Sequence, residues 1–513
     1  MKRFFRLIYS NKFFAFLMLA IQVGIFLLSY KWLNDYYFYI HSTTVALCLF
    51  ISVHEINKTT EPGFKIVWIM LISFIPIFGM LLYLFLHFLP VTGIIKKNYE
   101  TQMKITERFM KQDEETFNKM SQKHAMAPGL ARYLKNNSGS PVYENALTEY
   151  YNSGETALDA MIEDLKTAQS FIFLEFFIIN QAGTLWDEML EILKLKVKEG
   201  VEVRLLYDGM GCMTTLPRDY DKVLNELGIK CRIFSPITPL ISTYQNNRDH
   251  RKICVIDGKI AYSGGINLAD EYANRIVRFG HWKDCAIRLE GEAVAGFTAM
   301  FLNLWNIDSP NESDDYQYYI DASEKIQLAH EGGFIIPFGD CPLDNMAVGK
   351  RVYLDNLNNA KDYVHIMTPY LVIDSEMYET MLYAAQRGVD VKIVMPHIPD
   401  KKYAFYLARS YYAELLKAGI KIYEYTPGFV HSKFSVADGE RAVVGTINHD
   451  YRSLYLHYEC AVYLLDVPEI SKIEEDFQET LKLCEKITLK TCKSYPLYQR
   501  VFGKAVRILA PLI

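Results

Sequence analysis

The nine cysteines of this 513-residue chain are odd in number and scattered, with no CxxC pair. That excludes a disulfide framework and a paired-cysteine zinc site, and the thiols read as reduced, buried small residues. A basic field is also missing: 55 Lys and Arg stand against 60 Asp and Glu, a net charge of −5. This balance argues against nucleic acid as a partner. No acidic metal cluster is apparent, and no cofactor is expected. The chain is rich in apolar and aromatic residues: half is hydrophobic, with 36 Tyr and 30 Phe. The length exceeds one typical domain and implies two or three units.

One pattern occurs twice. The first copy is Asn247-Arg248-Asp249-His250-Arg251-Lys252-Ile253-Cys254-Val255-Ile256-Asp257-Gly258, and the second is His431-Ser432-Lys433-Phe434-Ser435-Val436-Ala437-Asp438-Gly439. Each reads His, one residue, Lys, four residues, Asp, Gly. The tails Gly264-Gly265-Ile266-Asn267 and Gly445-Thr446-Ile447-Asn448 follow at matching offsets. Strand alternation puts His and Lys on one face, and Asp-Gly before a second apolar run signals a hairpin. With a two-residue turn, Gly265 lies opposite His250 and Thr446 opposite His431, with Asn267 and Asn448 just beyond. Such a pocket offers an imidazole, an ammonium and an amide around little bulk, which suits a phosphate. The turn reading gives Asp257 and Asp438 mainly a bracing role within the motif. Glu175, an acid inside an apolar strand, is either a further pocket residue or an ion-paired structural acid.

The doubled motif resembles that of the phospholipase D superfamily. The resemblance implies that the two halves build one site. One imidazole attacks phosphorus and becomes a phosphohistidine; the other protonates the leaving alcohol and deprotonates the incoming one. By analogy His250 is the nucleophile and His431 the acid/base, although the pattern itself does not separate them. Lys252 and Lys433 clamp the phosphate oxygens, and no metal is needed. Each imidazole should be oriented by a carboxylate: Asp284, downstream of His250, and Glu459, downstream of His431, match acidic positions of the family.

Along the chain, Lys2, Arg3, Arg6 and Lys12 precede an apolar run at 13–30, long enough to cross a bilayer. No small-x-small cleavage site follows it, which argues against a signal peptide. Residues 36–53 form a weaker run, expected to be interfacial or re-entrant. Residues 65–87 form a strong run with a kink expected at Pro76 and Gly79. Basic residues at both ends place both on the cytoplasmic side, with two spans, 13–30 and 65–87. Residues 99–122 read as a polar helical stalk. Beyond them, helices and strands alternate in the same order in each half, implying α/β units with mixed sheets. The expected organisation is membrane helices (1–95), stalk (96–140), two phospholipase D-like α/β domains related by a pseudo-two-fold (141–322 and 323–495), and a basic amphipathic tail (496–513). The tail is read either as lying on the bilayer or as a docked core helix.

Wording beyond the motif narrows the resemblance. Phe173-Leu174-Glu175-Phe176-Phe177, Leu206-Tyr207-Asp208-Gly209, Thr368-Pro369-Tyr370, Ser410-Tyr411-Tyr412 and Ile422-Tyr423-Glu424-Tyr425, with the membrane region and the tail, resemble bacterial cardiolipin synthases over nearly the whole chain. Thr446 stands where many relatives carry Ser and keeps the hydroxyl. The implied reaction joins two phosphatidylglycerol molecules into cardiolipin and glycerol at a bacterial cell membrane. Phosphatidylglycerol would be donor and acceptor, and the bilayer a partner. The alternatives are a membrane phospholipase D that hydrolyses and a phosphatidyltransferase using another head-group donor.

Overall fold

The computed structural model describes residues 20, 23–24, 36–87, 91–144, 146–236, 246–308, 314–323 and 333–512. Two compact units emerge: residues 95–236 with 248–507, and residues 1–94 with 237–247 and 508–513.

The larger unit is α/β and holds two mixed sheets. The first runs, edge to edge, Leu147–Tyr151, Ala286–Glu290, Ile260–Gly264, Lys252–Ile256, Phe171–Phe176, Glu202–Asp208, Lys230–Phe234. The core of the second runs Phe334–Asp340, His457–Leu465, Arg441–Gly445, Phe434–Ala437, Tyr363–Met367, Asp390–Pro396, Lys421–Tyr425. Taken strand by strand, the order is the same. In each sheet the strand beside the motif strand, Phe171–Phe176 or Tyr363–Met367, is antiparallel to it and parallel to its other neighbour, Glu202–Asp208 or Asp390–Pro396. Phe171–Phe176 is buried at every position, as expected for a strand covered on both faces. Helix Gly154–Thr167 starts where Ser153 accepts the N–H of Thr156. Its Ala157, Leu158, Met161, Ile162 and Leu165 form a 3.6-period stripe buried in one core with Leu185, Trp186 and Met189.

Both hairpins turn at Asp-Gly, but not over two residues. Ile256 pairs with Ile260 and Ala437 with Arg441, so three residues make each loop. Asp257 and Gly258 have φ of 52° and 66°, and Asp438 and Gly439 have 54° and 67°. The left-handed pair is followed by Lys259 or Glu440, whose N–H closes the turn onto Ile256 or Ala437. The extra residue moves the register by one, so Gly265 and Thr446 do not stand opposite His250 and His431.

Residues 99–122 are not a free-standing stalk. Helix Val91–Glu107 lies in the larger unit from Ile95 on. Tyr99 packs edge-on against Tyr458 at 5.6 Å, and Gln102 accepts the Tyr316 hydroxyl at 2.5 Å. Tyr99, Gln102 and Thr106 are all buried; spaced three and four apart, they face one way. The C-terminal segment docks as well. On helix Leu497–Arg507, a Cβ on Gly503 would come within 2.3 Å of the Tyr406 carbonyl, and Arg507 pairs with Glu414 at 2.9 Å.

The smaller unit reverses the expected membrane elements. Helix Tyr37–Ile56 is continuous, and Phe38–Ile56 is long and apolar enough to cross a membrane. The run 65–87 is instead two helices, Pro62–Phe74 and Pro76–His87. Trp68 meets Tyr83 at 5.3 Å, and a Cβ on Gly79 would meet Ile72 backbone at 2.9 Å. The constant sum of these partners is that of an antiparallel hairpin. Pro76 removes a donor and moves Ile75 out of the helical region, to φ −132°, ψ 70°. The expected span at 13–30 lies outside the described residues, apart from 20, 23 and 24.

Candidate active site

Both motif histidines belong to the larger unit, and each is placed by the opposite half. Arg248 and Asp249 pair in parallel with His457 and Tyr458, and the His250 N–H donates to the Tyr458 carbonyl at 2.9 Å. Glu459 then falls beside the ring: its carboxylate oxygens lie 2.9 and 3.0 Å from His250 Nδ1. In the other half, Gly428–Val430 pairs in parallel with His281–Lys283. The His431 N–H donates to the Lys283 carbonyl at 2.7 Å, and Asp284 Oδ2 stands 2.7 Å from His431 Nδ1. The expected partners are therefore exchanged: Asp284 meets His431 and Glu459 meets His250. Chain proximity suggested the reverse, but the short parallel pairings cross between the sheets and carry the acids with them.

The small tail residues follow the same crossing. A Cβ on Gly265 would fall 2.0 Å from Asp284 Oδ1 and 2.9 Å from the His431 carbonyl. Only glycine fits beside that pair. The Thr446 hydroxyl donates to Glu459 Oε2 in a short hydrogen bond, so it serves the carboxylate behind His250. Asn267 accepts the Ile178 N–H at 3.0 Å and donates to the Tyr272 hydroxyl at 2.8 Å. Asn448 is 5 % exposed, and its Oδ1 has no hydrogen-bond partner among the described residues.

Charge in the site is cationic and strongly desolvated. Lys252 and Lys433 are almost completely buried, and their ammonium groups lie against the His250 and His431 carbonyls respectively. Burial brings Lys252 down to about 8 and Lys433 to about 7. Burial also lowers both imidazoles. His250 falls well below its ordinary value, with Lys252, His457, Lys433 and His431 adding to the effect. His431 falls to about 4 through burial and Lys433, opposed by Asp284. The two histidines and two lysines thus feel one another's charge across the halves.

The carboxylates differ. Burial holds Glu459 well above the ordinary carboxylate range, despite Lys252 and Thr446. Burial acts on Asp284 in the same sense, but His431, Lys433 and the Cys285 N–H outweigh it and hold Asp284 below its usual value. The ring environments differ too. Tyr272 and Trp282 approach His431 at 5.3 Å each, whereas His250 meets Phe177 at 5.1 Å and a third imidazole, His457, at 5.4 Å.

Asp257 and Asp438 stand at the far end of their hairpins. Asp257 accepts three N–H groups, from Gln169, Ser170 and Phe171. Asp438 accepts those of Lys361, Asp362 and Tyr363. Glu175 sits in a buried cluster 3.9 Å from Arg251, with Asp249 adding to the burial that raises it. Arg251 donates to the backbone carbonyls of Glu459 and Asp340 at 3.1 and 3.4 Å, tying the first motif to the second sheet. His457 is not singled out from the sequence; it stands two residues before Glu459, and that alternation was the available signal.

Two crossed histidine–carboxylate pairs with two buried lysines can offer a nucleophile, a proton carrier and positive charge to an anionic group. The family model described as "Cardiolipin synthase, PLD-like domain" matches twice, over residues 161–305 and 353–481. The chain belongs to the cardiolipin synthase family. Each match in this family member covers one motif and most of one sheet, and a "Phospholipase_D-nuclease N-terminal" model matches residues 46–86. A cardiolipin synthase of Geobacillus sp. is 32 % identical over 510 residues, 96 % of this chain and 98 % of that one. An uncharacterized protein of Streptococcus mutans is 47 % identical over 90 % of this chain and 99 % of its own. Among solved structures, the phosphatidylserine synthase of Haemophilus influenzae matches with a TM-score of 0.58 at 13 % identity, covering 76 % of this chain and all of that one. That likeness concerns the fold.

Proposed function

We propose that this cardiolipin synthase family member transfers a phosphatidyl group from one phosphatidylglycerol to another, giving cardiolipin and glycerol through a phosphohistidine on His250. The observation that carries the reading is the crossed pairing of His250 with Glu459 and His431 with Asp284, beside Lys252 and Lys433.

The environments divide the roles. His250 is pushed strongly towards the neutral form, which a nucleophile needs. His431 has an ionised partner in Asp284, which stabilises an imidazolium. A phosphodiester anion entering beside both lysines adds negative charge and favours protonation of His431. His250 attacks phosphorus while His431 gives its proton to the departing glycerol oxygen. The terminal hydroxyl of a second phosphatidylglycerol then loses its proton to His431 and attacks phosphorus, and the bond to His250 breaks. Both lysine charges offset charge on the phosphoryl oxygens in each step. Asn267 and Asn448 line the phosphate position, and Asp257 and Asp438 brace the turns. The N-terminal helices hold the protein at its lipid, with the catalytic unit on the cytoplasmic side.

Purified protein given phosphatidylglycerol alone tests the reading. Cardiolipin and glycerol in equal amounts are expected. Phosphatidic acid as the main product would make the protein a hydrolase.

A further inference from the structure

His457 has no part in the two-histidine scheme, yet it stands at the centre of a buried chain of polar groups. Arg452 Nε donates to His457 Nε2 at 3.2 Å. With Nε2 accepting, the neutral ring carries its proton on Nδ1. That Nδ1 faces Glu459 Oε1 at 3.7 Å, and it has no closer partner among the described residues. Glu459 Oε1 in turn lies 2.9 Å from His250 Nδ1. The groups run in one line: guanidinium, imidazole, carboxylate, nucleophile. All but the arginine are buried, with His457 9 % exposed and Glu459 0 %.

We infer that His457 is a positioning residue for the reaction, holding Glu459 as a correctly aimed carboxylate behind His250, with Arg452 fixing its tautomer. The mechanistic consequence rests on the two-histidine reading above. When His250 Nε2 bonds phosphorus, positive charge develops on the ring and its Nδ1–H strengthens its bond to Glu459. A carboxylate buried this deeply is costly to keep ionised, and Thr446 engages only Oε2. His250 Nδ1 lies against both oxygens; the N–H of His457 is a further donor aimed at Oε1, and the gap of 3.7 Å can close as charge builds. His250, His457 and Glu459 are close enough together to suggest a cation site. The Arg452 donor argues against it, because it leaves a proton, not a lone pair, on the nitrogen facing the carboxylate.

The test compares His457→Ala with His457→Asn, whose amide N–H sits near the position of imidazole Nδ1. Full-length protein is assayed on phosphatidylglycerol by total donor consumed, cardiolipin plus phosphatidic acid. This readout survives if the product proves to be phosphatidic acid, so failure of the acceptor reading and failure of this inference remain distinct. His457→Ala is expected to lower kcat about 10-fold, no more than loss of the Glu459 carboxylate itself, with KM changed less than about threefold. His457→Asn should recover kcat to within about threefold of wild type. Arg452→Gln should lower kcat in the same sense and add nothing to His457→Ala in the double variant; the single Arg452→Gln variant keeps the test if His457→Ala does not fold, and wild-type kcat in it would then overturn the inference. Wild-type kcat in His457→Ala, a loss confined to KM, equal impairment of the Ala and Asn variants, or additive losses with Arg452→Gln would each overturn the inference.

Discussion

In the first motif hairpin, Asp257 gathers the N–H groups of Gln169, Ser170 and Phe171; in the second, Asp438 gathers those of Lys361, Asp362 and Tyr363. The turn dihedrals agree within a few degrees. At the other end of the same hairpins the likeness stops. His250 faces a carboxylate that burial pushes towards its neutral form, and a further imidazole lies beside it. His431 faces a carboxylate held ionised and is walled by Tyr272 and Trp282. Duplication has kept the backbone device, while the surroundings of the two rings have diverged. A symmetric frame carrying unlike pKa environments can hold one imidazole neutral and load the other with a proton. Because each acid comes from the opposite half, neither half can complete its own imidazole.

The comparison breaks most visibly at the histidines. His250→Ala or His431→Ala should each lower turnover at least about 10³-fold with folding preserved. Wild-type-like synthesis by either variant would end the shared-site mechanism. The carboxylates sharpen the contrast. Asp284→Asn removes an ionised partner and should cost about 10³-fold in kcat, whereas Glu459→Gln replaces a group already pushed towards neutrality and should cost about 10-fold. Equal losses in steady-state assays would show that the two environments do not differ in function.

The lysines predict a pH profile. Both have depressed values, so the charge that greets the phosphate is lost as pH rises, first from Lys433 through about 7 and then from Lys252 through about 8. The alkaline limb of kcat/KM, which reports the free enzyme, should therefore begin near 7. Lys433→Arg, always charged, should move it to about 8. A limb unmoved by Lys433→Arg would contradict the assignment. The turn aspartates are expected to behave alike: Asp257→Ala and Asp438→Ala should each cost about 2 kcal/mol of stability by losing charged hydrogen bonds. Thermal unfolding reads the difference, and a loss in only one variant would deny their equivalence. Chelators should leave turnover unchanged; strong inhibition reversed by a divalent ion would count against metal-free chemistry.

Much of this was legible in the chain. The doubled His-x-Lys-x4-Asp-Gly marked the two motif strands, and the like order of helices and strands read in each half is the order found. What misled was local distance. Asp284 follows His250 by 34 residues and Glu459 follows His431 by 28, yet parallel pairings of two and three residues between the halves exchange them. Such short pairings leave no periodicity to read. The loop register failed for a similar reason: two left-handed residues and a third that closes the turn read as a two-residue Asp-Gly hairpin. At 65–87 hydropathy reported apolar length but not the reversal at Pro76, and at 99–122 sparse apolar positions were enough to bury one helix face.

The account stands on His250 and His431 acting unequally over a single phosphorus. The direct measurement is rapid acid-free quenching of His431→Ala during turnover of a phosphatidyl donor with a good leaving group, followed by peptide mass spectrometry. The phosphatidyl adduct is predicted on the peptide carrying His250, with none in His250→Ala treated alike. An adduct on His431 in the wild type, or in His250→Ala, would contradict the assignment.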